Sequence, residues 1–186
     1  DAHGVGVIGA DGSGTAAYYN MPGTIDLQVG TLSKALAAEG GYVAASKTII
    51  EYLVNKSRPF IFSTALPASV TAAALAALRL LRQKPEQYVG RLKENVALMR
   101  RLLQEEGLEI IEGVTPIVPV LTGSSEKTMR FMAELLDAGI MVSGIRPPTV
   151  PEGTSRLRVT VTAAHTEAEI KQAAKTMGRI WRGLNA

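Results

Sequence analysis

Apolar residues recur at intervals of three and four along PEQYVGRLKENVALMRRLLQEEG, where Val89, Leu92, Val96, Met99 and Leu103 share one face. The spacing predicts an amphipathic helix stopped by Gly107. TEAEIKQAAKTMGRIWRGL repeats the pattern through Ile170, Ala174, Met177, Trp181 and Leu184, a core-facing stripe, and Thr166 with Glu169 has the spacing of a capping box. Between these two helices IVPVLT, IMVSGI and RLRVTVT read as strands and EKTMRFMAELLDAG as a helix. The second part of the chain is therefore expected to be a compact α+β unit.

The first part has a different texture. It is rich in glycine, and its short apolar runs, TIDLQVGT, GGYVAAS and FIFST, read as strands buried on both faces, as in the middle of a parallel sheet. PASVTAAALAALRLLRQ follows as a buried helix, with Pro67 ahead of it and Lys84-Pro85 behind. The neighbourhood of Lys84-Pro85 is the expected boundary, which gives domains of 1–84 and 85–186. No internal repeat or low-complexity tract is present.

Composition narrows the function classes. Of 186 residues 46% are hydrophobic, enough for one good core or two small ones. Twenty Lys and Arg against 17 Asp and Glu leave a net charge of +3, and the basic residues are scattered, several near Glu, so nucleic acid is not an expected partner. No run has the length of a membrane span, and the start has neither the basic end nor the apolar block of a signal peptide, so the expected location is cytoplasmic. The absence of cysteine excludes thiolate chemistry and Cys-ligated metal, and two isolated histidines, His3 and His165, do not suggest a metal site.

Gly4, Gly6 and Gly9 spell the G-x-G-x-x-G of a dinucleotide-binding turn. That turn needs a helix opening at its third glycine and an acid about twenty residues on, at the end of the next strand. Here Ala10-Asp11-Gly12-Ser13-Gly14 cannot open a stable helix, and Asp26 precedes its apolar run. A turned loop is the better reading. LQVGTLSKAL carries more: Lys34 sits just past an apolar strand among small residues, with Gly30, Thr31 and Ser33 able to let a phosphorylated ring approach. It is either an ordinary surface ammonium or a reactive amine in a partly desolvated site, suited to imine chemistry with an aldehyde cofactor.

DAHGVGVIG, GTLSKAL, GGYVAAS, FIFSTALP and IRPPTVPEGTSRLRVTVTAAHT occur in this order in the α-oxoamine synthases, and the chain resembles that family over its whole length. The resemblance implies an α/β fold, the second half of an aspartate-aminotransferase-like (fold type I) pyridoxal-phosphate enzyme. Residues 1–84 would be the C-terminal part of the large cofactor-binding domain and 85–186 the small C-terminal domain. It implies pyridoxal 5'-phosphate as cofactor, an amino acid and an acyl thioester of coenzyme A or a carrier protein as substrates, and a homodimer whose active sites are shared. IRPPTVPEGTSRLR is more similar to the branch that joins alanine to a pimeloyl thioester in biotin synthesis than to the branch that joins glycine to acetyl-CoA, and an enzyme carrying both activities is a further alternative the resemblance implies. An inactive assembly module that kept the fold is the non-enzymatic alternative.

Roles carried over from the resemblance fall on individual positions. Lys34 matches the lysine that holds the cofactor and moves protons at the substrate α-carbon. His3 matches the histidine on the cofactor's ring oxygen, and Thr31 a hydroxyl near its phosphate. Ser63 and Thr64 match a pair that reaches the phosphate in the neighbouring subunit. Arg158 matches the arginine on the amino-acid carboxylate, and Arg146 is a further candidate for the acyl substrate or product.

The family's acid for the pyridine nitrogen lies three residues ahead of the histidine, so Asp1 matches the motif's second acid and is not assigned that role. Ala37 stands where many relatives have glycine, a change expected to be tolerated. The ring-stacking residue and much of the phosphate-binding loop belong to the family's N-terminal half, and the 186-residue chain alone is expected to bind the cofactor poorly.

Overall fold

The computed structural model describes residues 1–185. They form two compact units, Asp1–Gly90 and a second beginning at Arg91.

Unit 1 is built around a hairpin of β1 (Leu27–Thr31) and β2 (Gly41–Ala45), paired antiparallel from Leu27↔Ala45 to Thr31↔Gly41. The parallel reading of these runs is corrected here for a simple reason. Loop 32–40 is too short for the crossover of about a dozen or more residues that a parallel pair needs. Leu32 N–H donates to Gly40 O at 2.9 Å and Ala38 N–H to Leu32 O at 2.8 Å, closing the neck of the loop, while the buried Leu36 anchors it. Gly30 faces Tyr42 across the hairpin, and the tyrosine ring fills the space a Cβ would need.

Four helices complete this unit: α1 (Thr15–Tyr18), α2 (Lys47–Lys56), α3 (Arg58–Ile61) and α4 (Ala68–Gln83). FIFST is not a strand. Pro59 in the first turn presets the helical φ, Phe60 and Ile61 N–H both bond Ser57 O, and Ser63 to Pro67 runs on irregularly. The buried-helix reading of α4 also fails, because only Ala74 is buried and Leu75, Leu78 and Leu80 are more than 40% exposed. Alanine makes a helix by propensity alone, and propensity says nothing of what covers it. Val89, in a π-helical turn over Glu86–Gly90, is fully buried and abuts Gly12 of the glycine loop.

Unit 2 follows the sequence pattern closely. Its sheet has the order β3-β5-β4, all antiparallel, with β5 (Ser155–Thr160) central between β3 (Ile117–Gly123) and β4 (Ser143–Ile145). Residues 109–111 lie along the outer edge of β3, where Leu121 N–H bonds Glu109 O at 2.8 Å and Ile111 N–H bonds Pro119 O at 3.0 Å. Val118, Val120, Leu157 and Val159 point from the sheet into the core. The same core holds Val96, Met99 and Leu103 of α5 (Arg91–Glu105), Phe131 and Leu135 of α6 (Ser125–Asp137), and Ile170, Ala174 and Met177 of α7 (Glu167–Asn185), all buried. Trp181 is half-buried against Phe131, with ring centroids 5.4 Å apart.

The α7 capping box forms as the spacing requires. Thr166 N–H and Oγ1 donate to Glu169 Oε2 at 2.7 and 2.9 Å, and Glu169 N–H returns a bond to Thr166 Oγ1 at 3.3 Å. The two Thr166 bonds hold the Glu169 carboxyl below the usual carboxylate range. A carboxyl depressed in the folded state stabilises fully above its unfolded pKa and loses that contribution as pH falls through the lower folded value. Glu169→Gln is therefore expected to flatten the acid side of the stability profile, read as thermal midpoint against pH. Further along α7, no atom lies within 4 Å of where a Gly183 Cβ would sit. Gly183→Ala should raise stability by about 0.5–1 kcal/mol, read as an increase in midpoint.

Candidate active site

Lys34 projects from loop 32–40, just beyond the end of β1. Its side chain is exposed, and among the described residues its ammonium makes no hydrogen bond or ion pair. Thr31 organises the loop behind it. Its hydroxyl donates to Gly40 O at 3.1 Å, lies 2.7 Å from Ser33 Oγ, and accepts from Ser33 N–H at 3.2 Å. Two hydroxyls are thereby fixed beside a lysine held by backbone bonds, with no bulky side chain between them.

Two other segments touch this loop. The glycine-rich stretch folds back on itself, with Gly6 N–H bonding Gly12 O at 2.7 Å and Gly14 N–H bonding Ile8 O at 2.9 Å. This is a turned loop and not a dinucleotide fingerprint, since the first helix opens only at Thr15. Gly6 packs so closely on the lysine loop that a Cβ there would lie 2.5 Å from Ala35 Cβ. The exposed His3 lies three residues earlier in the same turn. On the other side, Leu66 presses against Gly40, where a Cβ would be 2.7 Å from Leu66 Cδ1. Ser63 and Thr64, both exposed, sit just ahead of Leu66. Unit 1 thus gathers the segments of His3, Thr31, Lys34, Ser63 and Thr64 around one loop.

Arg158 and Arg146 belong to unit 2. Arg158 stands on the exposed face of β5, opposite Pro119 and Ser143, and among the described residues its guanidinium has no partner. Arg146 follows the end of β4 and donates from Nη1 to Met129 Sδ at 3.4 Å. Both are exposed. Neither lines the cavity of about 680 Å³ between the start of α7 and Ile140, Met141 and Val142. Among the described residues no group of three or more His, Cys, Asp or Glu could hold a metal, and no helix is long and apolar enough to cross a membrane.

Sequence reasoning missed the contacts that assemble the loop. Gly6 against Ala35, Leu66 against Gly40 and Tyr42 over Gly30 are all made between residues distant in sequence. Only the alternation of small and large residues at Gly30 and Tyr42 could have suggested one of them, and only once the hairpin register was known. Ala37 adds a local feature, a backbone φ of 49° that a glycine would adopt without strain.

The aminotransferase class I and II family matches residues 1–177, and the chain belongs to that family. It is 49% identical to the 8-amino-7-oxononanoate synthase of Geobacter sulfurreducens and 46% identical to that of Trichlorobacter lovleyi, each over 99% of this chain and 47% of the relative. The chain therefore spans about half the length of these relatives. A solved serine palmitoyltransferase holding pyridoxal phosphate superposes with a TM-score of 0.94 at 32% identity, covering all of this chain and 47% of that one. The solved 8-amino-7-oxononanoate synthase of Francisella tularensis gives 0.85 at 26% identity, covering all of this chain and 55% of that one. The fold is accordingly α/β, that of half a fold-type-I enzyme.

Proposed function

We propose that this chain is the C-terminal half of a pyridoxal-phosphate-dependent acyltransferase, which condenses L-alanine with a pimeloyl thioester to give 8-amino-7-oxononanoate, carbon dioxide and the free thiol. One observation carries the reading. An exposed lysine sits on a backbone-tethered loop, flanked by the segments of His3 and of Ser63 and Thr64, in a chain whose similar relatives include 8-amino-7-oxononanoate synthases. The donor set fits the cofactor: a primary amine for its aldehyde, hydroxyls for its phosphate, and an imidazole for its ring oxygen. When bound, the cofactor supplies the electron sink for the carbanion formed at the substrate α-carbon.

The chain's own residues do the rest. Lys34 Nζ would hold the cofactor through its aldehyde and, as a free amine, would take the substrate α-proton and return one to the product. His3 donates toward the ring oxygen. Thr31 holds the phosphate, and Ser63 with Thr64 reach the phosphate across a homodimer. Arg158 offers a bidentate pair of N–H groups to the amino-acid carboxylate, a geometry that lysine cannot reproduce. Arg146 contacts the acyl substrate or product.

The test is a choice of substrates. The intact enzyme, given alanine and pimeloyl thioester in one assay and glycine and acetyl-CoA in the other, is expected to release thiol and carbon dioxide with the first pair. Turnover only with the second pair would reassign it to the 2-amino-3-ketobutyrate CoA ligase activity, and turnover with neither would sink both.

A further inference from the structure

We propose that Thr15 is a positioning residue for His3, acting through the carboxylate of Asp1; this rests on the reading of Lys34 and His3 as cofactor-binding groups. Thr15 N–H donates to Asp1 Oδ2 at 2.8 Å and Thr15 Oγ1 donates to Asp1 Oδ1 at 2.7 Å, so both carboxylate oxygens are held by one residue. The fit around them is tight. A Cβ on Gly4 or on Gly14 would overlap the Asp1 carboxylate, and both glycines are buried. The backbone nitrogen of Asp1 donates to Val29 O at 2.6 Å, midway along β1.

His3 therefore lies between two anchors on the lysine-bearing hairpin. Asp1 is tied to β1 two residues before it, and Gly6 rests on Ala35 three residues after it. The four residues between these anchors, His3 among them, have little freedom left once Thr15 locks the first anchor. Without the Thr15 hydroxyl, one carboxylate oxygen loses its donor and the His3 backbone can shift relative to Lys34. A charge-assisted bond of this kind strengthens the orientation of the group it supports, and a small misplacement is costly in a binding site.

The experiment uses the intact enzyme with added pyridoxal phosphate, reading cofactor affinity, the pH titration of the Lys34–cofactor absorbance band, and the unfolding midpoint. Thr15→Val is expected to weaken cofactor binding about tenfold, the loss of one hydrogen bond to a charged acceptor, and to shift the titration. Thr15→Ser should restore both to within about twofold of the parent. In a His3→Asn background, Thr15→Val should change affinity by less than about twofold, since its effect passes through His3. A lowered midpoint with unchanged affinity and titration would make the clamp merely structural and overturn the proposal, as would a full loss in the His3→Asn background. If Thr15→Val does not fold, Asp1→Asn is read against the same outcomes. A band that survives Lys34→Ala would instead overturn the cofactor reading.

Discussion

Replacing Lys34 by alanine will leave the intact enzyme without its cofactor absorbance band and without a borohydride-trapped adduct, and will lower the condensation rate by about 10³-fold or more. One side chain carries both the covalent anchorage and the proton transfer, so no neighbour can take over its role. The same substitution should move the unfolding free energy by no more than about 0.5 kcal/mol, because the Lys34 side chain is exposed and makes no hydrogen bond or ion pair among the described residues. Lys34→Arg should not rescue activity, since a guanidinium keeps the charge but is not deprotonated near neutral pH. A large drop in stability with activity retained would make Lys34 a structural residue.

Gly6→Ala combines two penalties at one position. Gly6 has φ of 76°, a left-handed conformation that costs an alanine about 1–2 kcal/mol. Its new Cβ would lie 2.5 Å from Ala35 Cβ, and relieving that overlap adds about 1–3 kcal/mol. A loss of about 2–5 kcal/mol is expected from the two together, with the lysine loop displaced. Denaturant unfolding measures the first effect, and cofactor affinity the second. Gly23→Ala isolates the conformational part, because Gly23 has φ of 77° with no atom within 4 Å of the added Cβ. If the two variants lose equal stability, the contact between Gly6 and the lysine loop contributes nothing.

The sequence was most legible where burial and periodicity agree. Val96, Met99 and Leu103, and Ile170, Ala174 and Met177, are predicted by spacing and found buried, because each helix of unit 2 has a sheet or another helix to cover its stripe. The Thr166–Glu169 box was equally readable, being a contact between residues three apart. Unit 1 resisted the same treatment. TIDLQVGT alternates through Ile25, Leu27 and Val29 but GGYVAAS and FIFST do not, so the pattern gave strands without a pairing direction, and it could not tell FIFST from a short helix begun by Arg58-Pro59. Lys34 stood out locally as a lysine among small residues beyond a strand. The roles of His3, Thr31, Ser63, Thr64, Arg146 and Arg158 came only through resemblance, since each depends on groups far away in sequence. The Asp1–Thr15 clamp spans fourteen residues and has no local signature.

The strip of residues 109–111 along β3 has a consequence for how copies of this chain meet. An uncovered strand edge is a template on which another chain can add a strand. Here one edge of the unit 2 sheet is occupied by backbone bonds to Glu109 and Ile111. The other is β4, only 3 residues long and soon followed by Pro147 and Pro148, which have no N–H to offer. Strand addition to this sheet therefore finds only short edges at both sides. Exposed apolar side chains gather instead on the lysine-bearing hairpin, at Leu27, Val29 and Val43, so the surface of this chain most open to a covering partner is the one that carries the candidate site.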